Sequence, residues 1–334
     1  MKKRVLAAFL SMAMVAGLAT GCGTPGGGKS DGDSADGKVF RYAVNTLPTT
    51  LDPTKGQSIG DNEIQHAITE GLTRNTAGDV KPGIAESWDE SEDGLTYTFH
   101  LRKDAKWSDG EPITAADFEY SWKRLVNPET ASPYAFIGDC LKNGQAIEQG
   151  KMDVEELGVK AVDDTTLEVT LEHPTSYFLS LIGSSGQFAP LRQDIVEKYG
   201  TDFAATSEKN VYSGPFVMTS SEDNVWTFAK NDNYWDKDSI NLDKCELNYV
   251  ENTDTQLSMY EAGDLDYVQV PTAYVSDYKD KAEVFANGNV DFCYINSKSD
   301  NPVLGNKNFR LALNYALNRN DYNKLANADT FTAF

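Results

Sequence analysis

Between Leu95 and Arg102 apolar and polar side chains alternate without a break. Leu95, Tyr97, Phe99 and Leu101 fall on one side of an extended chain, and Thr96, Thr98, His100 and Arg102 on the other. A period of two predicts a half-buried strand. Trp107 follows just ahead of Ser108-Asp109-Gly110, and an Asp-Gly pair supplies the positive backbone angles of a tight reversal. A large apolar residue at the edge of a turn is either a ligand platform or core filler. Next, Thr114-Ala115-Ala116-Asp117 has the spacing of a capping box with Asp in the place of the usual Glu. Phe118, Trp122, Leu125 and Val126 then recur at helical spacing, a stripe that predicts burial rather than a cofactor box.

The same two periods recur elsewhere. Leu167, Val169 and Leu171 alternate with Thr166, Glu168, Thr170 and Glu172 up to Pro174, which ends a second strand. Residues 39–44, 216–218, 225–228 and the alternation of Cys245, Leu247 and Tyr249 predict further short strands. Phe309, Ala312, Leu313, Ala316 and Leu317 form a helical face near the end. The class is mixed α/β.

Charge changes the picture by exclusion. The chain has 334 residues, 40% of them hydrophobic, enough for about two domains. Fifty-one acidic residues against 30 basic ones give a formal charge of −21, a field that repels nucleic acid and anionic lipid heads. Membrane attachment must therefore come from grease, and the N-terminus offers some. Lys2, Lys3 and Arg4 precede an uncharged stretch to Cys22, the order of a secretory signal over residues 1–21. Leu18-Ala19-Thr20-Gly21-Cys22 resembles the lipobox of bacterial lipoproteins, with Ala19 where Leu is usual, which makes Cys22 the expected acylation site. A plain signal peptide and an uncleaved span are the alternatives. Residues 22–38, rich in Gly, Ser and Asp, read as the acylated Cys and a flexible tether.

Candidate chemistry is sparse. There is no Walker loop, dinucleotide fingerprint or Gly-x-Ser-x-Gly elbow. His66, His100 and His173 are scattered, and Cys140, Cys245 and Cys293 match no zinc spacing and allow at most one intramolecular disulfide. No cofactor, no metal and no catalytic residue is expected.

A long segment says more. AESWDESEDGLTYTFHLRKDAKWSDGEPITAADFEYSWKRL, residues 85–125, resembles the signature region of the oligopeptide-binding proteins that serve bacterial ABC importers. The likeness continues in TLDP (50–53), EGL (70–72), NPETASPYA (127–135), LGVKAVDDTTLEVTLEHPTSYF (157–178), SGPF (213–216), KNDNYWD (230–236), YEAGDLDY (260–267) and FRLALNYALNR (309–319). It implies a two-lobed, periplasmic-binding-protein-like α/β fold with an extra subdomain in the first lobe. On that scheme residues 39–69 and 191–289 form the main subdomain of the first lobe, 70–190 an inserted small subdomain, and 290–334 the start of a second lobe. Family members run further, so the resemblance implies a second lobe largely missing, and weak or absent peptide binding at this length.

The implied activity is capture of an oligopeptide outside the cytoplasmic membrane by a lipid-anchored, monomeric, non-enzymatic receptor that closes on a hinge and delivers its cargo to permease subunits. A receptor for many sequences must read the shared main chain and leave side chains in roomy pockets. The resemblance places Gln57, Ser58, Ile59 and Gly60 against the peptide backbone, with Ile59 and Gly60 offering only amide and carbonyl groups, and Tyr134 in the cleft with its hydroxyl in reach of a peptide carbonyl. Gln269 and Phe292 are further carry-overs. Trp107, Trp88, Trp122 and Trp235 read as architecture. Dipeptides, metal chelates, haem and sugars are alternative cargoes. A secreted hydrolase and a surface peptide sensor are rival functions, and the linker and acidity point to a Gram-positive surface ahead of a periplasm.

Overall fold

The strand expected around Tyr97 lies inside a four-stranded sheet of a computed structural model that describes residues 37–76, 78–283 and 293–325. Residues 1–36, with Cys22, lie outside the described residues, as does Phe292. In chain order, strand β1 (Val39–Val44) leads to helix α1 (Ile59–Ile68), and β2 (Thr73–Thr76) pairs antiparallel with β3 (Asp79–Pro82). Strands β4 (Ala85–Glu90) and β5 (Thr96–Leu101) precede α2 (Ala115–Val126) and α3 (Gly144–Glu148). Then come β6 (Val159–Asp163), β7 (Thr166–Thr170), α4 (Phe178–Ser184) and α5 (Gln193–Tyr199). Strands β8 (Phe216–Glu222), β9 (Val225–Lys230) and β10 (Lys244–Tyr249) are followed by α6 (Thr253–Ala262), α7 (Val275–Tyr278), α8 (Pro302–Gly305), α9 (Lys307–Ala316) and α10 (Arg319–Leu325).

The smaller sheet, in the order β4-β5-β7-β6, is antiparallel throughout. Tyr97, Phe99 and Leu101 of β5 and Leu167 and Val169 of β7 turn one face inward, where the stripe of α2 covers it with Phe118, Trp122, Leu125 and Val126. Trp122 is fully buried, donates from Nε1 to the Phe188 carbonyl at 2.9 Å and meets Phe178 edge to face. Its indole thus satisfies its one polar atom while filling the core. Trp107 is core as well. It is 2% exposed, and its Nε1 lies 3.4 Å from Asp117 Oδ2.

The reversal after Trp107 is looser than a two-residue hairpin. The Gly110 amide donates to the Trp107 carbonyl at 2.9 Å and the Trp107 amide to the Glu111 carbonyl at 2.8 Å. Only Gly110, with φ +93°, takes the left-handed backbone, so glycine alone supplies the positive angle. At the start of α2 the Thr114 amide donates to Asp117 Oδ2 at 2.8 Å, the capping contact that the spacing predicts. Burial nevertheless pushes the Asp117 carboxyl above its ordinary range, against the hydrogen bonds from Thr114 and Trp107.

The second sheet runs β1-β10-β9-β8. β1 is parallel to β10, and β10, β9 and β8 form an antiparallel meander. The outer edge of β1 is met by residues 266 and 267, whose amides reach the Arg41 carbonyl at 2.8 and 3.3 Å. Apolar side chains divide accordingly. One cluster draws its buried members from between Leu72 and Phe188, and the other from between Val44 and Ile68 and between Leu191 and Leu247.

The helical face expected near the end is present in α9, yet Leu311, Leu313, Tyr315 and Leu317 are all exposed. His66 and His173 are exposed, and His100 pairs with Asp89 at 2.9 Å on the surface. Cys140, Cys245 and Cys293 are free thiols here, with burial pushing Cys140 and Cys245 up to about 11.

Candidate functional site

The site begins with a carboxylate. Asp61, buried in the first turn of α1, accepts the amides of Thr49 at 2.6 Å, Thr50 at 3.1 Å, Gln57 at 3.1 Å and Ser58 at 2.9 Å. Burial alone would raise this carboxyl. The amides of Thr49, Ser58 and Gln57 and the Ser58 hydroxyl outweigh it and hold Asp61 below its ordinary range. Ser58 caps the helix, its Oγ accepting the Asp61 amide at 2.9 Å. The Ser58-x-x-Asp61 spacing that makes this box is the same as in Thr114-x-x-Asp117 and is the sequence signal that marks the start of α1.

Residues 57–60 therefore form a corner rather than an extended strand. The amides of Gln57 and Ser58 are taken by Asp61, and the Ser58 carbonyl accepts the Asn62 amide at 3.1 Å. Ile59 and Gly60 are the first two helical residues, where carbonyls enter the helix's own ladder and amides have no intrahelical acceptor. Those two amides have no hydrogen-bond partner among the described residues. So the main-chain groups that Ile59 and Gly60 have left to offer are donors, a correction to the expectation of amides and carbonyls alike at those two residues, while the Gln57 carbonyl has no hydrogen-bond partner among the described residues. The Ile59 side chain is 61% exposed. Gly60 is buried so closely that a methyl group there would meet the Thr46 carbonyl oxygen and the Pro48 ring.

Behind the corner, Asp52 accepts the Thr54 hydroxyl at 2.8 Å and both prongs of the Arg124 guanidinium from α2. Gln187 donates from Nε2 to the Gly56 carbonyl at 3.1 Å. Gln65, on the inner face of α1, presents a carboxamide with no partner among the described residues.

Tyr134 stands elsewhere, on the loop after α2. It is half-buried, stacks on Phe136 with ring centroids 5.6 Å apart, and its hydroxyl has no hydrogen-bond partner among the described residues. Gln269 is exposed, two residues beyond the Tyr42–Tyr267 bridge. Among the described residues no hydrogen bond, ion pair or ring contact joins Tyr134 or Gln269 to the corner. Phe292 lies outside the described residues.

A second polar knot joins the segment around Glu70 to the one around Tyr234. Tyr234 donates to Glu70 Oε2 at 2.5 Å, Arg74 donates to Glu70 at 2.7 Å and to Asp236 at 3.0 Å, and Trp235 packs between the guanidinium groups of Arg74 and Arg102. Sequence periodicity missed this knot, because its members lie some 160 positions apart. Trp235 is thereby architectural. Among the described residues no group of three or more His, Cys, Asp or Glu could hold a metal ion, and no helix is long and apolar enough to cross a membrane.

Comparison with known proteins adds a lineage. A family model of the bacterial extracellular solute-binding proteins, family 5 (middle), matches residues 79–333. A dipeptide-binding protein of Lactococcus lactis is 34% identical over 88% of this chain and 56% of its own length. The solved structure of Listeria monocytogenes OppA bound to peptide superposes with a TM-score of 0.69 at 36% identity, covering 73% of this chain and 49% of that one. The pheromone receptor PrgZ, solved in a study of its mode of peptide binding, gives 0.77 at 32% identity, covering 86% and 58%. The chain thus spans about half the length of the relatives it matches.

Proposed function

This chain belongs to the family 5 bacterial extracellular solute-binding proteins, and from that premise we propose that it captures oligopeptides through their main chain for import, as a binding protein and not a catalyst. The observation that carries the reading is the corner at 57–60. Two helical amides, those of Ile59 and Gly60, have no acceptor among the described residues, and a buried Asp61 holds four neighbouring amides in place. Fixed donors of this kind suit the carbonyls that every peptide carries, whatever its side chains. The exposed Ile59 side chain adds apolar surface without selecting a sequence. Tyr134, Gln269 and Phe292 complete the proposed peptide site, Tyr134 with a hydroxyl free to meet a peptide carbonyl.

The finer parts of the reading rest on the leader and on the division of the core. Cys22 is the proposed lipid anchor, placing the receptor on the outer face of the cytoplasmic membrane as a monomer that hands its cargo to permease subunits. Residues 39–69 with 191–289, and 70–190, are the proposed main and inserted subdomains of the first lobe, and 290–334 the start of the second. The two apolar clusters, which part near residues 70 and 190, support that boundary. A second reading, signalling in place of uptake, draws its support from the likeness to a pheromone receptor.

The test uses the protein at its full encoded length. Native mass spectrometry of the purified receptor should find co-purified peptides, and calorimetry with a pool of three- to five-residue peptides should give saturable binding without turnover. A retained dipeptide, chelate, haem or sugar would reassign the cargo, and a cleaved peptide would sink the non-catalytic reading.

A further inference from the structure

Gln65 is 1% exposed, yet neither its carbonyl oxygen nor its amide nitrogen has a hydrogen-bond partner among the described residues. Polar side chains so deeply buried are normally paired, because the lost hydration is otherwise uncompensated. Its surroundings are specific. The carboxamide is wedged between two glycines, such that a methyl group at Gly56 would overlap Nε2 and one at Gly186 would crowd Oε1. Gly56 immediately precedes the corner, and its carbonyl already accepts Gln187 Nε2 at 3.1 Å. Two glutamines thus bracket the residue that leads into Gln57, one by contact and one by a hydrogen bond. A methionine would fill the same space without stranding a polar group.

We propose that Gln65 is a positioning residue for ligand capture. Its carboxamide is unpaired among the described residues of the free protein, and its Nε2 gains a hydrogen bond to the Gln57 carbonyl as the corner shifts onto a bound peptide, the Gly56 amide and carbonyl and the Gln57 amide being already held by Asp52, Gln187 and Asp61. The unpaired amide destabilises the free form and is relieved in the bound one, so it biases the corner toward the ligand-engaged arrangement. Neither glycine can gain a side chain without displacing the carboxamide, which confines it to this slot. The inference rests on the peptide-binding reading of residues 57–60.

The experiment is Gln65→Met in the protein at its full encoded length, with thermal unfolding followed without ligand and calorimetry run with the peptide pool. The variant should melt about 2–4 °C higher than the parent when free, and bind peptide about tenfold more weakly. Gln65→Leu serves as a second variant if the first folds poorly, with the same pair of readouts. A higher melting point with unchanged affinity would overturn the inference, since the amide would then do nothing on binding. A lower melting point with the volume kept would also overturn it, because the amide would be paired in the free protein. If the parent itself binds no peptide, the fault lies with the functional reading; a parent that binds beside a variant that binds equally well faults this inference alone.

Discussion

Asp52 and Arg124 face each other as a two-pronged ion pair, Nη1 to Oδ1 at 2.8 Å and Nη2 to Oδ2 at 2.7 Å, tying the loop before the corner to α2. Side-chain exposure is only 5% for Asp52 and 13% for Arg124, so both charges have given up most of their hydration. Removing one partner strands the other. Arg124→Met should cost about 3–5 kcal/mol of folding stability. Asp52→Val with Arg124→Met should cost less than Arg124→Met alone, because no buried charge is left over. Urea unfolding of the single and double variants checks this, and simple additivity of the two single losses would refute it.

Asp61 predicts acid sensitivity with a definite sign. Its folded carboxyl is held below the ordinary 3.8, so between the two values the unfolded chain binds more protons than the folded one. Stability is therefore complete above about pH 4 and falls as the pH drops below it. Asp61→Asn should lose about 1.5–3 kcal/mol at neutral pH. It should also flatten the slope of stability against pH below 4, measured by denaturant titrations from pH 2.5 to 7. A parallel slope in the variant would show that other carboxylates carry the effect.

Gly60→Ala pits helix propensity against packing. In an open helix the change should stabilise by about 0.5–1 kcal/mol. Here the new methyl would meet the Thr46 carbonyl oxygen, a backbone atom that cannot swing aside, and the Pro48 ring. The expected outcome is a loss of about 1–3 kcal/mol in thermal or chemical unfolding, with peptide affinity falling as the corner is pushed off its seat.

Tyr134→Phe separates folding from binding. The hydroxyl has no partner among the described residues, so its removal should change stability by less than about 0.5 kcal/mol. Loss of one hydrogen bond to a peptide carbonyl should weaken binding about five- to tenfold. Calorimetry beside a melting curve distinguishes this from a tyrosine that only braces its loop, which would shift the melting point and leave affinity alone.

The elements that periodicity predicts are those whose burial is one-sided. β5 alternates because Thr96, Thr98 and His100 keep partial access to water while Tyr97, Phe99 and Leu101 are buried in the same core as the stripe of α2, which is legible for the matching reason. α1 was hidden, since Gly60, Asp61 and Gln65 are as buried as Ile64 and Ile68 and dilute any apolar stripe. The polar ties were invisible for another reason. Asp52 and Arg124 are 72 positions apart, and Glu70 and Tyr234 are 164 apart; pattern within a window cannot bring such pairs together. At the corner the resemblance names the residues, while the choice of donors over acceptors at Ile59 and Gly60 needs the helix start at Ile59.

Parallel pairing of β1 with β10 sets an order of events. Val39 lies beside Lys244, and the Lys38 amide reaches Asp243 from 205 positions away, whereas β8, β9 and β10 are neighbours in the chain and can zip locally. A chain made from its N-terminus must wait with β1 unmatched until almost 250 residues have emerged. The contiguous cluster between Leu72 and Phe188 has all its members on hand well before that, so it can pack first and the sheet that holds β1 closes last.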